Sequence, residues 1–208
     1  MEISYLGTGA VKLSGNQLNI ICDPTKDMLA KTDVVTLSSI EPEDSDRIYS
    51  RPAGVMVIDG PGQYEVKGAT IVGVPARLHI DETGQRGAVY SIVIDGVNVV
   101  VTGNIAGKLD EDTIESLGQV DVLVIPVGGG GLTLDATGAA AVVTQLEPSY
   151  VIPVHYNDGL SVYPVPQAGV ELFLQEMGAS VEAQTKFRVV RSEAPAETQV
   201  VLLSPANS

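Results

Sequence analysis

Residues 120–156 read VDVLVIPVGGGGLTLDATGAAAVVTQLEPSYVIPVHY, and the order of patterns in this stretch decides the architecture. Val122 to Val127 is an unbroken apolar run, the composition of a strand covered on both faces. Gly128 to Gly131 interrupt it, and their bland reading is a loop where backbone passes close to something else. Asp135 then suits a helix N-cap ahead of an Ala-rich segment ending at Leu146, and Tyr150 to Val154 is a second apolar strand. Strand and helix alternate here.

Upstream the pattern is different. Residues 2–6, 10–13 and 18–22 read as short strands separated by Gly7-Thr8-Gly9 and Gly15-Asn16, whose residues tolerate positive φ. Further short apolar runs come at 34–37, 55–58, 70–74, 89–94 and 97–101, the last two joined by the hairpin signal Asp95-Gly96. Acidic residues from Asp110 mark a helix start that runs to Leu117. Downstream, Pro166 to Met177 predicts a helix ended by Gly178, and Lys186 to Val190 and Gln199 to Leu203 predict closing strands. Strands first, then alternating strands and helices, predict an α+β fold of αββα type: two mainly antiparallel sheets face to face, flanked by helices, in a single domain over residues 1–208.

The 208 residues carry 12 Lys+Arg against 26 Asp+Glu, a formal net charge of −14. That excess has the wrong sign for a free-standing nucleic-acid binder, which replaces condensed cations with its own Lys and Arg, and for an anionic membrane surface. With 44% hydrophobic residues the chain can bury a large core, while no apolar stretch approaches the length needed to span a bilayer. Cys22 is the one cysteine, so no internal disulfide asks for an oxidising compartment, and the cytoplasm is the expected location. The expected partner is a small molecule or a protein. Low aromatic content, 4% with no Trp, argues against a stacking platform for bases or sugars.

Several familiar sites are excluded by the residues around each motif. Gly7-Thr8-Gly9 has Lys12 where a dinucleotide loop needs its third glycine, and a strand pattern begins where a helix should. Gly128 to Gly131 is not succeeded by Gly-Lys-Ser/Thr, no Gly-x-Ser-x-Gly elbow exists, and Cys22 sits inside an apolar strand where a thiol is inert. The informative residues are His79 and His155. Each comes after an apolar strand segment containing a proline, and strand ends at a loop rim are where sites are built.

Gly60-Pro61-Gly62-Gln63-Tyr64-Glu65-Val66, Gly73-Val74-Pro75, Gly118 to Gly129 and Val151-Ile152-Pro153-Val154-His155-Tyr156, with the Met1 to Asp23 opening, resemble the metallo-β-lactamase-fold hydrolases. The branch resembled is the set of metal-dependent hydrolases similar to the ascorbate-phosphate lactonases. The resemblance covers almost the whole chain in order and implies an αββα sandwich holding one or two metal ions. In the chemistry the sequence departs from it. The family's His-x-His-x-Asp-His falls, without a gap, on Ser39, Glu41, Glu43 and Asp44, and its metal-bridging aspartate falls on Asn104. His155 matches a later family histidine, and His79 matches another when the preceding loop is one residue longer.

Zinc favours imidazole and thiolate, so a hydroxyl with three carboxylates and a neutral Asn104 do not form an ordinary two-zinc site. Two readings stand. In the first the chain is catalytically degenerate, with no cofactor, and keeps the sandwich as a scaffold that binds a ligand or partner at the old cleft. In the second it is a hydrolase of small phosphoesters or lactones with a rewired site, in which His155, His79, Asn104 and Glu41 would hold a divalent metal: Mn, Mg, Ca or a single Zn.

Overall fold

The computed structural model describes residues 1–25, 28, 31–39, 54–79 and 87–206. The first sheet has six strands: β1 (Glu2–Gly7), β2 (Ala10–Ser14), β3 (Asn19–Cys22), β4 (Val34–Thr36), β5 (Met56–Ile58) and, from the far end of the chain, β12 (Phe187–Arg188). Their spatial order is β12-β1-β2-β3-β4-β5. The second sheet has seven: β6 (Gly62–Val66), β7 (Ala69–Ala76), β8 (Gly87–Ile94), β9 (Val97–Val101), β10 (Val122–Pro126), β11 (Tyr150–Val154) and β13 (Gln199–Val200), in the order β13-β11-β10-β9-β8-β7-β6.

Both sheets are mixed, with antiparallel pairings in the majority, as expected. The meander β1 to β3 and the run β6 to β9 are antiparallel, whereas β3-β4-β5 and β9-β10-β11-β13 are parallel. The cause lies in the connections. Two-residue turns such as Asp95-Gly96, both at positive φ, reverse the chain, but a strand followed by a helix must cross over and return parallel. Residues on β1, β2 and β3 (Ile3, Tyr5, Val11, Leu13, Ile20) and on β7 to β11 (Ile71, Tyr90, Val99, Val124, Ile152) form one buried apolar cluster between the sheets. β10 is buried at all five positions, as its unbroken apolar run requires.

The described helices are α1 (Glu111–Leu117), α2 (Ala136–Leu146) and α3 (Glu171–Glu176). Asp110 and Asp135 cap α1 and α2, each carboxylate accepting from a backbone N–H three residues on, at 2.8 Å. α1 packs on β7, α2 on β10, and α3 on α2, so all three lie with the seven-stranded sheet. The helix expected over 166–177 is only α3. Gln167 and Ala168 are instead drawn to the glycine loop, where the Ala168 N–H donates to the Gly128 carbonyl at 2.8 Å. The closing strands are likewise shorter than expected, with β12 and β13 each two residues long. β6 is a strand that the sequence pattern does not announce. Among the described residues no helix is long and apolar enough to cross a membrane.

Candidate functional site

Parallel strands from both sheets end at one place. β3 delivers Asp23, β4 delivers Ser38 and Ser39, β9 delivers Gly103 and Asn104, and β11 delivers His155. The carboxyl ends of parallel strands are where backbone leaves the ladder and side chains are free to converge. A cavity of about 380 Å³ opens there, lined by these residues together with Thr8, Thr25, Tyr163 and Pro164.

Two backbone features hold the rim. Asp23 and His155 both sit at positive φ, 49° and 52°, a conformation that turns the chain sharply at a strand end and costs a non-glycine residue about 1 kcal/mol. His155 is fixed on both sides of its peptide: its N–H donates to the Thr8 carbonyl at 2.7 Å, and its carbonyl accepts from Gly128 N–H at 3.0 Å. The first bond ties the β1–β2 turn of one sheet to β11 of the other. Gly128 is required for the second, because a Cβ there would collide with the His155 carbonyl and Gln167 Oε1. Gly103, at φ 59°, leaves room for the Ser38 side chain in the same way.

Asp23 Oδ1 accepts the Ser38 N–H at 2.6 Å, which fixes the start of the segment after β4. Burial pushes the Asp23 carboxyl up to about 6, with the bonds from Ser38 opposing the shift. His155 is buried, and that burial pushes its imidazole down to about 4. Its Nδ1 lies 3.2 Å from Asn104 Oδ1. With the amide oxygen as acceptor, Nδ1 carries the proton and Nε2 is left as an acceptor. The Tyr163 ring stands 4.8 Å from the imidazole, centre to centre, and its hydroxyl donates to the Tyr156 carbonyl at 3.0 Å.

Of the residues singled out in the sequence, Ser39, Asn104 and His155 come together on this cavity. Glu41, Glu43 and Asp44 lie outside the described residues. His79 is not part of the described lining: its N–H donates to the Asn104 carbonyl at 3.1 Å, while its Nε2 is buried without a hydrogen-bond partner among the described residues. Burial lowers the His79 pKa, against a smaller opposing effect from the Asp135 carboxylate. Sequence reasoning misses Asp23, Ser38, Thr8 and Tyr163. For Asp23 a signal exists, a carboxylate and proline directly after an apolar strand.

The described donor set does not by itself fit a two-zinc centre. The described lining offers one imidazole, one neutral amide already engaged with that imidazole, one carboxylate with an oxygen on the Ser38 amide, and hydroxyls. Among the described residues no three His, Cys, Asp or Glu side chains gather as metal ligands.

Comparison with known proteins gives a consistent family likeness. A family profile described as β-lactamase superfamily domain matches residues 2–155. A UPF0173 metal-dependent hydrolase of Thermococcus onnurineus is 32% identical over 126 residues, covering 58% of this chain and 54% of the relative. One from Pyrococcus horikoshii is 31% identical over 126 residues, covering 58% and 53%. The chain thus spans about half the length of these relatives. Among solved structures, a protein of Thermotoga maritima assigned as a Zn-dependent hydrolase of the metallo-β-lactamase superfamily superposes with a TM-score of 0.77 at 26% identity, covering 97% of each chain. The metallo hydrolase Igni18 of Ignicoccus hospitalis shares the fold, with a TM-score of 0.66 at 21% identity over 91% of this chain and 99% of that one.

Proposed function

Because the chain belongs to the β-lactamase superfamily domain family, we propose that it uses this family's cleft to bind a small molecule without performing metal-dependent hydrolysis. The observation that carries the reading is the pairing of Asn104 Oδ1 with His155 Nδ1 at 3.2 Å. Metal-dependent hydrolysis needs a cation to bring the pKa of bound water from about 15.7 towards 7. At the position where the resemblance puts an anionic bridge between two cations, Asn104 is neutral, and its oxygen is occupied by an imidazole. Ser39, where the resemblance puts the first histidine of the cage, contributes a hydroxyl. The cavity, at about 380 Å³, is near the lower end of the range for small-molecule sites, which supports a compact ligand over a protein chain. We take the chain to act in the cytoplasm, consistent with its single, buried and unpaired cysteine.

The test is elemental analysis of protein purified without chelator, followed by assays on bis(p-nitrophenyl) phosphate and a γ-lactone, with and without added Zn or Mn. The expected result is far less than one transition metal per chain and no turnover above buffer. One or two ions per chain, with turnover that disappears in His155→Ala, would overturn the proposal.

A further inference from the structure

Resting on the non-hydrolytic reading of the cleft, we infer that its ligand is a small organic cation, a primary ammonium on a short polar frame, whose charge is met by Asp23. Among the described residues the lining carries acceptors and no Lys or Arg. Asp23 presents a carboxylate with lone pairs beyond those engaged by the Ser38 backbone and side chain. His155, with Nδ1 turned to Asn104, offers Nε2 as an acceptor, and Ser39, Thr8 and Thr25 offer hydroxyl oxygens. Tyr163 adds an aromatic ring to the lining, and the face of such a ring attracts cations.

The described cationic side chains are elsewhere. Arg77 and Lys108 line a different depression, beside α1, while Lys67 and Lys186 are paired with Asp33 and Glu2. An anionic phosphoester or carboxylate would therefore meet a half-buried carboxylate with no counter-charge among the described lining residues. A neutral polyol could donate hydroxyl hydrogen bonds to the carboxylate but would bring no counter-charge. An ammonium supplies both the charge and three N–H donors to a site made of acceptors. The chain's net charge of −14 adds a long-range field that raises the local concentration of cations. Burial also holds the Asp23 carboxyl near 6, and a cation beside it would relieve that cost.

Three probes of similar length and different charge make the test: 1,4-diaminobutane, 1,4-butanediol and succinate. Each is titrated into the full chain at about 150 mM salt, where exposed charges beyond about 8 Å are screened, and observed by two-dimensional amide NMR. The diamine is expected to shift the Ser38, Ser39 and Asn104 amides saturably and to bind at least about tenfold more tightly than the diol, with no cleft shifts from succinate. Asp23→Asn retains an oxygen able to accept the Ser38 N–H and is expected to weaken the diamine by at least about tenfold. Should that variant fail to fold, the Asp23 carboxyl carbon shift in the unaltered protein supplies the same information, and it is expected to move with diamine saturation.

The inference is overturned if diol or succinate binds as tightly as diamine, if diamine shifts only surface carboxylates outside the cleft, or if Asp23→Asn binds it unchanged. The wider reading fails separately. Succinate binding that appears only on adding Zn, and is lost in His155→Ala, would mean a metal site, whereas preference for the diol with no effect of Zn removes the cation alone.

Discussion

Asp23 and His155 sit on one cavity and are shifted by burial in opposite directions along the pH scale. His155 falls from 6.5 to about 4, so the folded state binds fewer protons than the unfolded chain in that window. The stability it contributes is present above 6.5 and is lost as pH falls through 4, an effect of about 3 kcal/mol. Asp23 rises from 3.8 to about 6, so its contribution is present below 3.8 and is lost as pH rises through 6, again about 3 kcal/mol. In the unaltered chain the two effects oppose one another between pH 4 and 6.5. Single variants separate them. Urea unfolding across that window is expected to show Asp23→Asn losing more stability on acidification than the parent, and His155→Gln losing less. Equal slopes for all three proteins would contradict the burial assigned to these groups. His155 is legible in the sequence because a histidine after an apolar strand is conspicuous. The pairing with Asn104 is not, since residues 51 positions apart carry no local signal of contact.

At the scale of elements, what the sequence discloses depends on how local the cause is. The helix start at Asp110, the cap Asp135 and the hairpin at Asp95-Gly96 arise from neighbouring residues, and all three are found as expected. β6 escapes because Gly62–Val66 is an edge strand of partly polar residues with no continuous apolar run. It is set by pairing with β7 through the two-residue turn Lys67-Gly68, both at positive φ. The helix over 166–177 fails for the opposite reason. A tertiary demand overrides local preference, because Gln167 and Ala168 close over Gly128.

The glycine loop yields a comparison. Gly128→Ala places a methyl against the His155 carbonyl and Gln167, and is expected to cost about 2–3 kcal/mol in denaturant unfolding and to disturb the cleft. Gly131→Ala meets open space and bears only its left-handed φ of 78°, a cost of about 1 kcal/mol. A Gly128→Ala protein no less stable than Gly131→Ala would contradict the close approach of the β10 and β11 ends.

For the whole molecule, the order of strands and helices discloses two sheets around a shared core, and the structure bears this out. The mixture of parallel and antiparallel pairing is harder to read. It depends on long crossovers rather than on any single stretch, yet it is what brings the ends of β3, β4, β9 and β11 to one cleft. The family resemblance implies a metal-dependent hydrolase when imidazoles and carboxylates occupy those ends. In this chain Ser39 and Asn104 stand at two of them, which is the basis for our proposal that the chemistry differs while the scaffold stays. A fold held by a core of this size does not depend on the identity of a few residues at strand ends, so the sandwich is compatible with the proposed absence of a two-metal cage.

The most direct measurement is anomalous diffraction at the zinc edge from crystals of the chain equilibrated with zinc. The account predicts no peak within bonding distance of His155 and Asn104. A zinc peak at about 2.1 Å from His155 Nε2, completed by two or more further protein ligands in the cleft, would contradict it.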